Sequence, residues 1–204
     1  SGYASFNGPL NTDDAANDVA RGPDGSLYAV GYSSRGAAGK DIWIGRFSAP
    51  DLTLLSSATL NGSGNDLDRA DGVAVDGSGS VFVVGLSSIA SQGVRVWLGK
   101  FDPGLAVVSS TTFPNSYSNI DPAPRGGIVV APNGDALIAE SLMNSAGRNQ
   151  ALVARYSSGL SLLSSATFSD PGFDANGAAG IALDASGNIF LSGPRNPPAT
   201  SSDI

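Results

Sequence analysis

The sequence predicts an all-β protein made of repeated four-stranded antiparallel units. Three observations carry this. A pattern of two short apolar strands around a Gly/Asp/Ser turn occurs four times: Asp18–Gly31 (DVARGPDGSLYAVG), Asp71–Gly85 (DGVAVDGSGSVFVVG), Gly126–Glu140 (GGIVVAPNGDALIAE) and Ala179–Gly193 (AGIALDASGNIFLSG). The copies recur in phase, about 54 residues apart, and such fixed self-similarity marks a repeat architecture. The composition agrees: 41% hydrophobic and 14% charged residues rule out disorder, and 27 glycines in 204 residues suit a chain of tight turns.

Each unit reads as strands a, b, c and d. Tyr3–Phe6 aligns one period before Ser57–Leu60, so the chain opens on a strand d. In the first full unit, a is Asp18–Arg21, b Leu27–Gly31, c Ile42–Phe47 and d Leu54–Leu60. Polar Gly/Ser-rich stretches at Gly8–Asn17 and Tyr32–Lys40 read as loops. The second unit has Gly72–Asp76, Val81–Gly85, Val96–Phe101 and Val107–Phe113. The third has Ile128–Ala131, Ala136–Ala139, Leu152–Tyr156 and Leu162–Phe168. The fourth has Ile181–Asp184 and Ile189–Ser192, and Asp203-Ile204 aligns with the start of a strand c. The unit boundaries fall near 1–8, 9–62, 63–115, 116–170 and 171–204, about 3.8 repeats in one domain.

The strands differ by place. Strand c puts Trp43, Gly45 and Phe47 on one face, then Trp97, Gly99 and Phe101, then Leu152, Ala154 and Tyr156. A small residue between two large ones predicts a neighbouring sheet pressing on that point. Both faces are apolar, as in a sheet packed between two others. Strand d (LLSSATL, VVSSTTF, LLSSATF) is half Ser/Thr and suits an outer edge. Strand a carries Ala20, Ala74 and Ala182 at one register and suits the innermost place. Four such strands per unit describe a β-propeller blade.

The residues also carry a resemblance. Residues 54–85, LLSSATLNGSGNDLDRADGVAVDGSGSVFVVG, resemble the bacterial seven-bladed β-propeller repeat. Residues 13–34, DDAANDVARGPDGSLYAVGYSS, and 41–48, DIWIGRFS, are similar to the related delta-60 repeat. The third unit departs most, with the turn Pro132-Asn133-Gly134-Asp135 and Glu140 where the others have Gly. The resemblance implies a propeller, exported to the surface or exterior of a bacterium, and no particular activity. Seven blades need more repeats than 3.8, so the chain is expected to be part of a larger ring.

Composition removes several function classes. With no His and no Cys, imidazole general bases, His/Cys zinc sites and disulfides are excluded. A net charge of −7 repels phosphate backbones, so nucleic acid is not an expected partner. No apolar run approaches the ~20 residues of a membrane span. Gly-Ser-Gly at 62–64 and 77–79 lacks the Lys of a phosphate loop. Trp43 and Trp97 lie in apolar strands and read as core, with sugar stacking the alternative.

In a propeller the d–a and b–c loops share one face, which carries the ligand funnel. Acid collects there. Asp66, Asp121 and Asp174 fall at one register and are candidate ligand-binding residues. Asp66, Asp68 and Asp71 are candidate calcium ligands, since Ca²⁺ takes about six to eight oxygens. The competing reading is that Asp caps turns. Glu140 is the only glutamate; it is a candidate for holding a polar ligand or pairing with Arg148, against drift in a tolerant loop. The function these features suggest is a non-enzymatic exported scaffold binding a protein or glycan through its loop face, with self-association through exposed blade edges. The alternative is a carbohydrate-active hydrolase or lyase using funnel carboxylates. No cofactor is expected apart from calcium.

Overall fold

In the computed structural model every regular element among the described residues is a β-strand. The structure describes residues 5, 7–8, 10, 13–36, 39–114, 126–143, 149–169 and 175–196, with the backbone alone at 175–176 and 195–196. The terminal pieces Tyr3–Phe6 (Ser5 apart) and Asp203-Ile204 lie outside the described residues.

Three sheets repeat one plan. The first holds β1 (Ala15–Arg21), β2 (Leu27–Ser34), β3 (Lys40–Phe47) and β4 (Leu54–Leu60), paired antiparallel in chain order. The second holds β5 (Arg69–Val75), β6 (Val81–Ile89), β7 (Gly93–Phe101) and β8 (Val107–Thr112). The third holds β9 (Gly127–Val130), β10 (Ala136–Met143), β11 (Asn149–Tyr156) and β12 (Leu162–Phe168). Next come β13 (Ala175–Asn176), a separate hairpin β14 (Gly180–Leu183) and β15 (Ile189–Ser192), and β16 (Arg195–Asn196). β13 pairs with β11 in parallel and β16 pairs with β13, so both extend the third sheet.

The a–b turns form for a local reason. Gly25, Gly79, Gly134 and Gly187 sit at φ of 82–87°, a region closed to most L-residues. A side-chain oxygen before the glycine receives the turn's N–H groups: Asp76 Oδ1 accepts from Ser78 and Ser80, Asp184 Oδ1 from Ser186 and Asn188, Asp24 Oδ1 from Ser26, and the amide oxygen of Asn133 from Asp135. The basic residue of strand c completes the turn in two sheets. Arg46 reaches Asp24 at 2.7 Å, and Arg155 Nε reaches Asp135 at 2.7 Å.

Two expectations are corrected. The stretch 32–40 is not all loop: β2 and β3 stay paired through Ser34 and Lys40, and β6 and β7 through Ile89 and Gly93. Serines at these ends lack apolar alternation, but Ser33, Ser34, Ser87 and Ser88 are buried under the incoming d–a loops. The small residue of strand c is not set by a neighbouring sheet alone. A Cβ at Gly45 would lie 2.5 Å from the Trp43 ring of its own strand, and one at Gly99 would lie 2.2 Å from Trp97. Each indole folds along its strand over the glycine and meets Phe47 or Phe101 edge-on at 6.3 Å. In the third sheet Leu152 replaces Trp and Ala154 fits.

The sheets stack through their faces, with inner strands β1, β5, β9 and β14 in succession. Each sheet has a leading face, toward the preceding sheet, and a trailing face, toward the next. In the first seam Tyr28, Val30, Ile42 and Ile44 of the first sheet pack on Ala70, Val73, Val81, Val83, Trp97, Phe101 and Leu105 of the second. In the second seam Phe82, Val84, Leu86, Val96 and Leu98 pack on Ala136, Ile138, Leu152, Ala154, Tyr156 and Leu160. Each large side chain so buried contributes ~1.5–3 kcal/mol, so the seams are the main source of stability. Gly72 and Gly127 let inner strands touch: a Cβ on Gly72 would lie 3.2 Å from Gly127 Cα, and one on Gly127 3.3 Å from Gly180 Cα.

Candidate functional site

The d–a loop of the second sheet, Asn61–Asp68, forms one end of the molecule together with the β2–β3 and β6–β7 hairpin ends. Its shape is set by Asp68, which is fully buried. Oδ1 accepts from Ser88 N and Oδ2 from Gly62 N, both at 2.8 Å. One carboxylate thus ties the loop's start to the tip of β6. Asp14 does the same one period earlier, accepting from Ser34 N at 2.9 Å and Gly8 N at 2.7 Å. Burial raises Asp14's carboxyl, but the N–H groups of Gly8 and Ser34 more than offset it and hold it below the usual value.

Neighbouring sheets are joined at this end. Lys40 N donates to Asp66 O at 3.0 Å and Asp68 N donates to Lys40 O at 2.8 Å, a short parallel bridge from β3 to the second loop. Gly39, at φ 94°, is needed there, since a Cβ would lie 2.1 Å from Asp66 O. Lys40 Nζ binds Asp13 at 2.8 Å and stands 3.8 Å over the Tyr32 ring. Hydrogen bonding to this ammonium, aided by Tyr32, holds Asp13's carboxyl below its ordinary range.

Beside the loop lies a groove of about 520 Å³ between the first and second sheets. Asn61, Ser63, Ser87, Ser110, Thr111 and Thr112 supply its polar wall, and Ile42, Leu60, Ile89 and Trp97 its apolar one. Hydroxyls both donate and accept, so such a wall matches a ligand that is itself rich in hydroxyls.

The predicted acids separate. Asp66 is exposed, and its backbone carbonyl holds Lys40. Asp68 is the loop clamp. Asp71 is buried and takes Arg69 Nε on both oxygens, at 2.9 and 3.1 Å. Asp121 and Asp174 lie outside the described residues, as does Arg148. Among the described residues no group of three or more acids is arranged to hold a metal ion.

Glu140 does not stand in a loop. It lies within β10, 1% exposed, at the seam between second and third sheets. Burial pushes its carboxyl well above the ordinary value, the charge of Asp71 adds to this, and Arg69 opposes it. The other three units hold glycine at this position for a geometric reason. In the other units strand a crosses this point: a Cβ at Gly31 would lie 1.9 Å from Ala15 O, at Gly85 2.1 Å from Arg69 O, and at Gly193 1.9 Å from Gly177 O. In the first two sheets strand a also bulges there, between Ala16 and Asp18 and between Ala70 and Gly72. In the third sheet β9 is described from Gly127, and the Glu140 side chain lies against Gly126: a Cβ there would sit 2.2 Å from its carboxyl carbon.

Sequence reasoning missed the Asp14 and Asp68 clamps. The signal was present: Gly8, Asp14 and Ser34 recur one period later as Gly62, Asp68 and Ser88. No family model matches the chain and no curated protein matches it.

Proposed function

We propose that the chain is a non-enzymatic β-propeller repeat module, exported by a bacterium, that binds a neutral oligosaccharide through its loop face. The propeller reading is supported by successive four-stranded sheets stacked face to face with their inner strands adjacent. Export is carried over from the resemblance to bacterial propeller repeats. The observation that carries the binding reading is the hydroxyl-lined groove between the first and second sheets. Its lower cost of binding comes from rigidity: Asp68 fixes the Asn61–Ser63 wall before any ligand arrives. A net charge of −7 disfavours acidic glycans.

The test is an immobilised panel of neutral and acidic oligosaccharides probed with the wild-type chain and with Ser63→Trp, which fills the groove. Wild type is expected to retain a subset of neutral sugars, and Ser63→Trp to lose them. Retention of nothing, or binding indifferent to Ser63→Trp, overturns the groove as the site. Release of shortened sugars from the panel overturns the non-enzymatic reading.

A further inference from the structure

The first sheet repeats, on its leading face, the surface that the second sheet buries. Ala16, Val19, Leu27, Ala29, Phe47 and Leu52 line an open groove of about 200 Å³. Their counterparts Ala70, Val73, Val81, Val83, Phe101 and Leu105 lie inside the first seam. Val19 is 59% exposed and Val73 4%. The outer part of the face, at Trp43, is already buried.

Leu52 shows that this face is built for a cover. Leu52, Leu105 and Leu160 all sit at positive φ, 56°, 74° and 65°. A bulky residue there is strained by ~1–3 kcal/mol. At Leu105 and Leu160 the strain delivers the side chain into a seam core. Leu52 carries the same strain with only half-burial in return.

The matching surface is at the far end of the row. β14–β15 packs on the third sheet through β9 and β10. Ile189 and Leu191 line a cleft against Val153 and Phe168, so Phe190, between them, points the other way. Phe190 is 58% exposed and occupies the register of Tyr28 and Phe82, which fill the two internal seams. Among the described residues a Cβ on Gly180 would meet Ser192 alone, so the inner strand also presents bare backbone on that side, as Gly72 does toward Gly127.

We propose that the leading face of the first sheet binds a second copy of this chain, head to tail, through the Phe190 face of its β14–β15 hairpin. The contact is heterologous, joining two different surfaces, and repeats between molecules the seam that holds each molecule together.

Sedimentation equilibrium of the 204-residue chain from about 1 to 200 µM tests it. The apparent mass should rise to at least twice that of one chain. Val19→Asp and Phe190→Asp, both at exposed positions and checked for fold by circular dichroism, should each remain at single-chain mass. An equimolar mixture of the two variants should regain a dimer, because one retains an intact head and the other an intact tail. A wild-type chain of single mass throughout overturns the proposal, as does association that survives both substitutions. A mixture that stays monomeric also overturns it, since a like-with-like contact cannot be restored by mixing.

Discussion

The leading faces of the first and second sheets carry closely matched residues in different settings. Phe101 is wholly buried in the first seam, while Phe47, one period earlier, lies on an open groove. Trp97 and Trp43 fold over their glycines in the same way on both. The difference teaches that the face is shaped within the sheet, by its own strand geometry, and that stability comes only when another sheet covers it. Substitutions at paired positions separate these two contributions.

The largest effect should come from the cores. We predict that Phe101→Ala costs about 3–5 kcal/mol, the usual range for a buried phenylalanine. Phe47→Ala should cost about 1 kcal/mol in the single chain. Urea unfolding at low protein concentration measures both. Equal losses would mean that the seam contributes little and that each sheet is stable by itself.

The loop clamps give a smaller contrast. Asp68→Ala strands two backbone N–H groups in a fully buried site and should cost about 2–3 kcal/mol. Asp14→Ala, at a half-buried clamp, should cost about 1 kcal/mol. Amide exchange read at Ser88 and Ser34 would check the cause. Protection unchanged in Asp68→Ala would refute the clamp.

The smallest effect is one of pH. The Glu140 carboxyl is raised above its ordinary 4.5 chiefly by burial, then by Asp71. A folded value above the unfolded one gives stability that is full below about pH 4.5 and is lost as pH rises through the folded value. The wild-type urea midpoint should therefore fall, relative to Glu140→Gln, as pH rises above about 4.5. Parallel curves for the two proteins would show that burial leaves Glu140 unperturbed.

The strands and their order were legible because each bears its place in its residues. Ala20 and Ala74 mark the inner strand, Trp43 and Trp97 the packed third strand, and Ser56-Ser57 and Ser109-Ser110 the outer one. The clamps were less legible because repetition shows which acid recurs without showing which one turns inward. Asp66 and Asp68 are two residues apart and equally polar, yet one is exposed and the other fully buried. What separates them is the position of Gly62 and Ser88 N–H groups, which only the folded hairpin brings together. Likewise Ser34 read as loop because its burial depends on a segment some 20 residues away.

Glu140 and Gly126 bear on how such a protein can be recombined. In the other units a Cβ at this position would strike main chain, whereas here Gly126 leaves the Glu140 carboxyl the room it needs. A chimera joined between these two positions would set a glutamate against a main-chain carbonyl, or leave a hole beside a bare glycine. A chimera joined outside the hairpin would carry both halves of the exchange together. The portable piece of this chain is therefore the whole a–b hairpin with its approach, and the third copy cannot be split and shared with the others.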